Sequence, residues 1–490
     1  MTQSKFSLGF KTLNEETNNL ELQIQGELPS WLNGVLLRTG PAKFEIGSQS
    51  YNHWFDGLAM LFAFRFSDNK VIYSNRFLKS NSYLKAMEKD EIVKEEIGTN
   101  PKRPLLERLK AVFNLTPTDN CNVSINKFSN AMVALTETRL AFEFDPLTLE
   151  TLNYYNYDKK PGDHPSGRMC TAHPHFDFDR WCHFSYMMKF GLGSKIQIFR
   201  MGAERGQQKI IREIPIKHPI FMHSFGMTEN YLILTEFPFV LNIFKLLFSS
   251  ESIIKNYKWK PKRGVLFIII EKDTGKIVKK VQTNAFFAFH HINAFENGDS
   301  LLVDLITYPD PSIIYQFNLE NLRKSSDPVQ ATGMPTRFYI DLNKNTEVKR
   351  EQLSSFQIEI PRINYRKYVG RPYRFIYGVG KGKNSDNNSF LASLIKVDLK
   401  MNKDKVWSSE DSFPGEPVFV AAPEAKEEDE GIILSVVLDI KKSLSYLIVL
   451  DSKTWKELAH MDLPHHIPFG FHGNYFPSLT GSNSFKDLHR

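Results

Sequence analysis

Nine short apolar or alternating runs recur along the chain: AMLFAFRF, AMVALTETRLAF, KIQIFRM, YLILTEF, VLFIIIEK, SLLVDLITY, SFLASLIKVDL, GIILSVVLDI and LSYLIVLDS. Runs of this length, rich in β-branched and aromatic residues and bounded by Gly, Asn, Asp or Pro, are strands rather than helices. Hairpin-like turns such as EKDTGK at 271–276 favour antiparallel pairing of sequence neighbours over long crossovers. The predicted class is all-β. The best helical pattern is PLLERLKAVFNL at 104–115, where Leu105, Leu106, Leu109, Val112 and Phe113 recur at helical spacing opposite Glu107, Arg108 and Lys110. No Gly/Ser linker divides the 490 residues, so a single domain over 1–490 is expected, closed β architectures being known to run long.

With 41% hydrophobic and 24% charged residues, the chain is neither disordered nor collagen-like. Its 39 Phe point to an aromatic-lined cavity or a membrane contact. Basic residues exceed acidic ones by 62 to 55 and are spread, except in KNYKWKPKR at 255–263. That pattern disfavours nucleic acid and favours an anionic membrane surface. Cys121, Cys170 and Cys182 form no CxxC pair and cannot all pair with one another, which fits a reducing compartment. MTQSKFSLGFKTLNEE has no apolar stretch of signal-peptide length, so the expected location is cytoplasmic. The longest apolar window, 231–248, is interrupted by Glu236, Pro238, Asn242 and Lys245, short of the ~20 clean residues a membrane span needs.

No GxxxxGK, HExxH or GxSxG motif is present, and GVGKGK at 378–383 reads as a loop. Histidines instead stand in apolar, strand-like settings: AHPHFD (His173, His175), MHSFG (His223), FHHIN (His290, His291) and FGFHG (His472). They read either as satisfied core residues or as metal ligands. Glu137, Glu359 and Glu416 lie in similar settings; each either faces solvent at a strand end or is buried beside a partner. The positions 137, 173, 223, 290, 359, 416 and 472 follow one another at intervals of 36 to 69 residues. That rhythm fits seven blades of about 70 residues, each aiming one polar side chain at a central axis. Four neutral imidazoles without a carboxylate ligand suit Fe, Cu, Zn or Ni, while carboxylates one layer out would accept the other ring N–H.

The stretches PSWLNGVLLRTGP (29–41), HWFDGLAML (53–61), TAHPHFD, MHSFGMT, FHHIN, NYRKYVGRPYRFIYGVG (364–380), GEPVFV with EEDEG (427–431) and the C-terminal FHG resemble the carotenoid cleavage oxygenase family over essentially the whole chain. The resemblance implies a seven-bladed β-propeller with a loop and helix dome over an Fe(II) ion. It implies iron ligands at His173, His223, His290 and His472, supporting carboxylates at Glu137, Glu359 and Glu416, and a catalytic position at Thr136. His175 and His291 fall outside its ligand set. The implied reaction adds dioxygen across a conjugated double bond of a carotenoid or apocarotenoid, giving two carbonyl products. The forms FDGLAML, FHHIN and TET look closest to the animal-type branch, which makes retinal an expected product. Stilbene-cleaving relatives carry Lys and Tyr where this chain has Thr136 and Phe77, which disfavours a stilbenoid. The branch's Pro-Asp-Pro-Cys-Lys element is replaced by TNPKRP (99–104), which leaves Lys102 and Arg103 to act electrostatically in place of a lipid anchor. A monotopic patch is expected from Leu105, Leu109 and Phe113 together with the run around Phe237, Phe239, Phe244, Leu247 and Phe248, rimmed by the basic cluster. The rival readings are a retinoid isomerase on the same iron site and a non-catalytic propeller that binds apolar ligands.

Overall fold

A strand apolar on both faces must be covered on both sides of its sheet. Gly431–Asp439, Leu444–Asp451 and Phe375–Gly380 are buried at every interior position, whereas the outer strand Ile277–Thr283 alternates between half-buried and exposed. The computed structural model, which describes residues 4–101, 117–157, 168–190, 193–202, 204–324, 333–381 and 391–477, meets this requirement with a β-propeller. Seven antiparallel sheets of four to six strands stand face to face around an axis. The contacts between neighbouring sheets form the core. Phe184, Ile196 and Ile198 pack against Leu232, Ile268 and Ile270 between the third and fourth sheets, and Tyr377, Val379 and Leu394 against Ile433, Val437 and Ile448 between the sixth and seventh. Each such side chain contributes roughly 1.5–3 kcal/mol when fully buried.

Sequence neighbours pair throughout, and the predicted turn at 271–276 joins Val265–Glu271 to Ile277–Thr283. Two long-range pairings close the ring. Gln25–Gly26 adds to the edge of the seventh sheet beside Glu457–Asp462, and the last described strand, Gly473–Phe476, lies innermost in the first sheet beside Gly34–Lys43. Short helices between strands roof one face; Trp54, Ile313 and Phe317 reach from them into the cavity beneath.

Two expectations are corrected. GVG at 378–380 is the end of a buried strand, not a loop. Gly380 is required there because a Cβ would collide with the Gln357 carbonyl on the paired strand. Phe237 and Phe239 are each 1% exposed and belong to the main core, because Phe239–Leu241 pairs inward with Tyr257–Trp259. A short helix, Ile243–Phe248, follows, capped by the Asn242 side chain accepting from the Lys245 N–H. The side chains of Phe244, Leu247 and Phe248 lie outside the described residues, as does the expected helix 104–115 with Leu105, Leu109 and Phe113. Among the described residues no helix is long and apolar enough to cross a membrane.

Candidate metal centre

Regular pairing along a strand alternates side chains between two faces, so aiming one along the propeller axis requires a break. The innermost strands break at the residues in question. In the third sheet the inner edge is split into Arg168–Cys170 and His175–Asp177, with His173 between them. In the fourth, His223 precedes Gly226–Met227. In the fifth, register shifts flank His291, next to His290. In the sixth, the register shifts between Glu359 and Arg362, and Ile360 takes a left-handed φ of 50°, a conformation costing a β-branched residue about 1–3 kcal/mol. In the seventh, Glu416 lies between Ser412–Pro414 and Val418–Ala421. His472 enters the first sheet just ahead of its closing strand. Each sheet supplies one of the seven positions. Glu137 departs from the expected pattern, because it follows Ala131–Leu135, the second strand of its sheet, rather than the innermost one.

These breaks bring His173, His223, His290 and His472 together, with one ring nitrogen of each within 4.8 Å of all the others. Nε2 of His173 and His223 are 2.8 Å apart, and Nε2 of His290 and His472 are 3.2 Å apart. The opposite nitrogens are tied outward. His223 Nδ1 donates to Glu137, His290 Nδ1 to Glu359 at 2.6 Å and His472 Nδ1 to Glu416 at 2.7 Å. His173 has no carboxylate partner among the described residues; its backbone N–H donates to the Thr171 hydroxyl, which in turn donates to the His223 carbonyl.

The carboxylates are themselves secured. Burial would raise Glu416, yet Arg362, His472 and Arg38 hold it at about 2; the Arg362 guanidinium donates to it at 2.9 Å and the Gly473 N–H at 2.7 Å. Burial opposes ionisation of Glu359 as well, but the His290 ring, the Ile360 N–H and the Tyr308 hydroxyl hold its carboxyl below the usual range. Burial lowers His472 to about 4 against the pull of Glu416, and burial with the neighbouring rings puts His173 well below its ordinary value. A neutral imidazole that donates from Nδ1 carries a bare lone pair at Nε2. Three such lone pairs therefore face one point, an arrangement that repels itself unless a cation accepts them. The donor set fits a metal ion of the imidazole-preferring kind.

Beside the histidines lies a cavity of about 220 Å³, walled by Trp54, Phe55, Phe221, Phe289, Phe317 and Phe471. Thr136, 6% exposed, borders it next to Glu137. Phe77 does not: it stacks on Tyr83 with ring centroids 5.2 Å apart, so of the two positions that disfavour a stilbenoid only Thr136 bears on the cavity. His175 and His291 point elsewhere. Arg38, Arg362 and Tyr308 were missed by the sequence reading. The signal for the first is an arginine inside the apolar run GVLLRTG.

A sequence model of the family described as RPE65, retinal pigment epithelial membrane protein, matches residues 9–477. The mitochondrial carotenoid-cleaving dioxygenase of Macaca fascicularis is 32% identical over 95% of this chain and 93% of its own. The β,β-carotene 15,15'-dioxygenase of Mus musculus is 30% identical over 94% and 90%. Among solved structures, a variant of Synechocystis apocarotenoid oxygenase (ACO) superposes with a TM-score of 0.86 at 26% identity, covering 96% of this chain and 98% of that one. The cobalt-substituted form of ACO gives 0.84 at 28% identity with the same coverage. This chain belongs to the RPE65 and carotenoid cleavage oxygenase family. It is an enzyme of that family's dioxygenase class.

Proposed function

We propose that this chain is an Fe(II) dioxygenase that cleaves a conjugated double bond of a carotenoid or apocarotenoid into two carbonyl products, with central cleavage to retinal as the finer reading. One observation carries it: four imidazoles converge at an aromatic cavity, and the three that line its wall, His223, His290 and His472, each have the far nitrogen tied to a glutamate. His173, His223, His290 and His472 would hold the metal. Iron held there supplies redox activation of dioxygen toward an alkene. The protein's own part is positioning and charge. Four neutral ligands add no charge at the centre, and Glu137, Glu359 and Glu416 place negative charge one hydrogen bond further out. The phenylalanine wall excludes water and holds a stiff polyene in register, with Thr136 assigned to contact its reacting portion.

Such a substrate is nearly insoluble in water, so the proposal extends to a monotopic contact of a cytoplasmic protein with a membrane. Lys255, Lys258, Lys260 and Lys262, all exposed, form its basic rim, at ~1 kcal/mol per residue near anionic lipid. The apolar part comprises Leu105, Leu109, Phe113, Phe244, Leu247 and Phe248. Exchanging Lys258, Lys260 and Lys262 for Glu should reduce sedimentation with anionic liposomes at unchanged metal content; equal sedimentation would remove the membrane contact from the proposal.

The reaction is tested by incubating iron-loaded protein with β-carotene and a set of apocarotenoids under labelled dioxygen, with products identified by mass. Label in the carbonyl products supports cleavage. Ester turnover without label would show a retinoid isomerase instead, and binding without turnover a non-catalytic propeller.

A further inference from the structure

The cavity wall carries one carboxyl that the histidines do not use. Glu137 and Glu359 border the cavity but are bonded to His223 and His290. The Asn120 amide, also on the wall, is spent on the Asp56 and Gly57 carbonyls and the Ala59 N–H. Glu96 differs. It is 4% exposed and borders the cavity, yet among the described residues the only partner of its carboxyl is the Thr118 hydroxyl, 2.6 Å from Oε1. That hydroxyl accepts the Asn120 N–H and so has its single proton to give to Glu96. Oε2 is left with no partner.

The surroundings fix what Oε2 carries. Burial, then the charge of Asp56, push the Glu96 carboxyl well above the usual range, and Asp119 adds to the effect, against the opposing pull of the Thr118 hydroxyl and of Lys94. Its neighbours are better supplied with donors. Asp119 accepts from the Asn81 and Ser82 N–H groups and from the Ser82 and Tyr154 hydroxyls, and Asp56 accepts from the Thr99 hydroxyl and the Gly98 N–H. Burial raises Asp56 as well, to about 7 against its two donors, and Glu96, with a single donor, is the carboxyl whose protonated form the site favours. Since Oε1 accepts from Thr118, the acidic proton sits on Oε2, beside the cavity.

Resting on the function proposed above, we propose that Glu96 donates a hydrogen bond to an oxygen atom of the substrate, so that the cavity selects polyenes bearing a hydroxyl or carbonyl oxygen over plain hydrocarbons. A hydrocarbon would leave a buried O–H unpaired, and sites built around a polar substrate group discriminate through that loss.

The test is binding of three polyenes that differ at one ring position, β-carotene and its 3-hydroxy and 3-oxo derivatives, read by quenching of tryptophan fluorescence under anaerobic conditions, with kcat/KM measured separately. In the wild-type protein both oxygenated polyenes should bind roughly tenfold more tightly than β-carotene. The 3-oxo compound should match the 3-hydroxy one, because it can only accept. Glu96→Leu should erase the preference, and Glu96→Gln, whose amide still donates, should keep most of it. An unchanged preference in Glu96→Leu overturns the assignment. So does a wild-type protein that binds the 3-oxo compound no better than β-carotene, a comparison that needs no variant to fold. If the Glu96-dependent preference appears but nothing is cleaved, the subsite stands and the dioxygenase reading fails; if none of the three binds, both fall.

Discussion

His290 and His291 are consecutive, and His173 and His175 are separated by one residue, yet the members of each pair have opposite fates. His291 has both ring nitrogens occupied: Nδ1 donates to the Ser224 hydroxyl at 2.8 Å, and Nε2 accepts from the Thr235 hydroxyl at 2.9 Å. His175 is filled in the same way, by the Phe225 carbonyl at 2.8 Å and the Tyr365 hydroxyl at 2.9 Å. Burial lowers His291 to about 3 and His175 to about 4, so both are neutral core residues. His290 is half-buried like His291, but among the described residues Nδ1 alone is tied to a carboxylate, and its other nitrogen faces three more imidazoles. Ligand capacity follows from which nitrogen the fold leaves bare, not from burial or from a histidine-rich neighbourhood.

The widest separation should come from alanine at the two adjacent positions. His290→Ala is expected to reduce bound metal from about one ion per chain to a trace and turnover to background, since the site has no spare donor. His291→Ala should keep the metal and lose only stability. Metal analysis of the two purified variants decides the matter; similar metal contents would break the distinction.

Removing the groups that orient the ligands should have a smaller effect. Glu137→Gln is expected to cost ~10 to 100-fold in metal affinity or activity, because an amide accepts the His223 N–H more weakly than a carboxylate. Metal affinity equal to wild type would mean that the tautomer of His223 is set in some other way.

Glu416 adds a pH signature. Its folded value of about 2 lies below that of an unfolded glutamate, so its contribution is fully present above about pH 4.5 and is lost as pH falls toward 2, a term on the order of 3 kcal/mol. Urea unfolding of the metal-free protein should show Glu416→Gln less stable than wild type at pH 7, with a gap that narrows on acidification. A gap that widens instead would show that the arginines, not the carboxylate, govern this position. The smallest change should follow Thr235→Val, which bares Nε2 of His291 for a loss of roughly 1–3 kcal/mol. It should recruit no second metal ion, because a single free lone pair without convergent partners is not a site.

Much of this arrangement was legible in the sequence. Residues 137, 173, 223, 290, 359, 416 and 472 do fall one to a sheet, because a chain that builds blades in order revisits the axis once per blade. Where the reading failed, orientation was the reason. The apolar character of Phe237 and Phe239 is the same whether a strand faces a core or a bilayer, and only the pairing of 239–241 with 257–259 decides between them. GVG looked like a loop because glycine is common in turns, whereas the glycine at 380 answers to a close backbone approach. Arg38 and Arg362 escaped because surface arginine is the ordinary expectation. Arg38 is buried and Arg362 half-buried beside Glu416, 0% exposed, which they neutralise.

The seam of the propeller gives the metal centre a second character. His472 sits one residue ahead of the strand that zips onto Gly34–Lys43, so the fourth imidazole arrives only when the two ends of the ring have met. Chain closure over so long a separation is slow and entropically costly. An ion bridging His472 to three other blades would then act as a bolt across the joint, strengthening it by mass action. Chelation should accordingly be felt first as fraying at the seam, with amide exchange rising in 473–476 and 34–43 before the blades opposite begin to open.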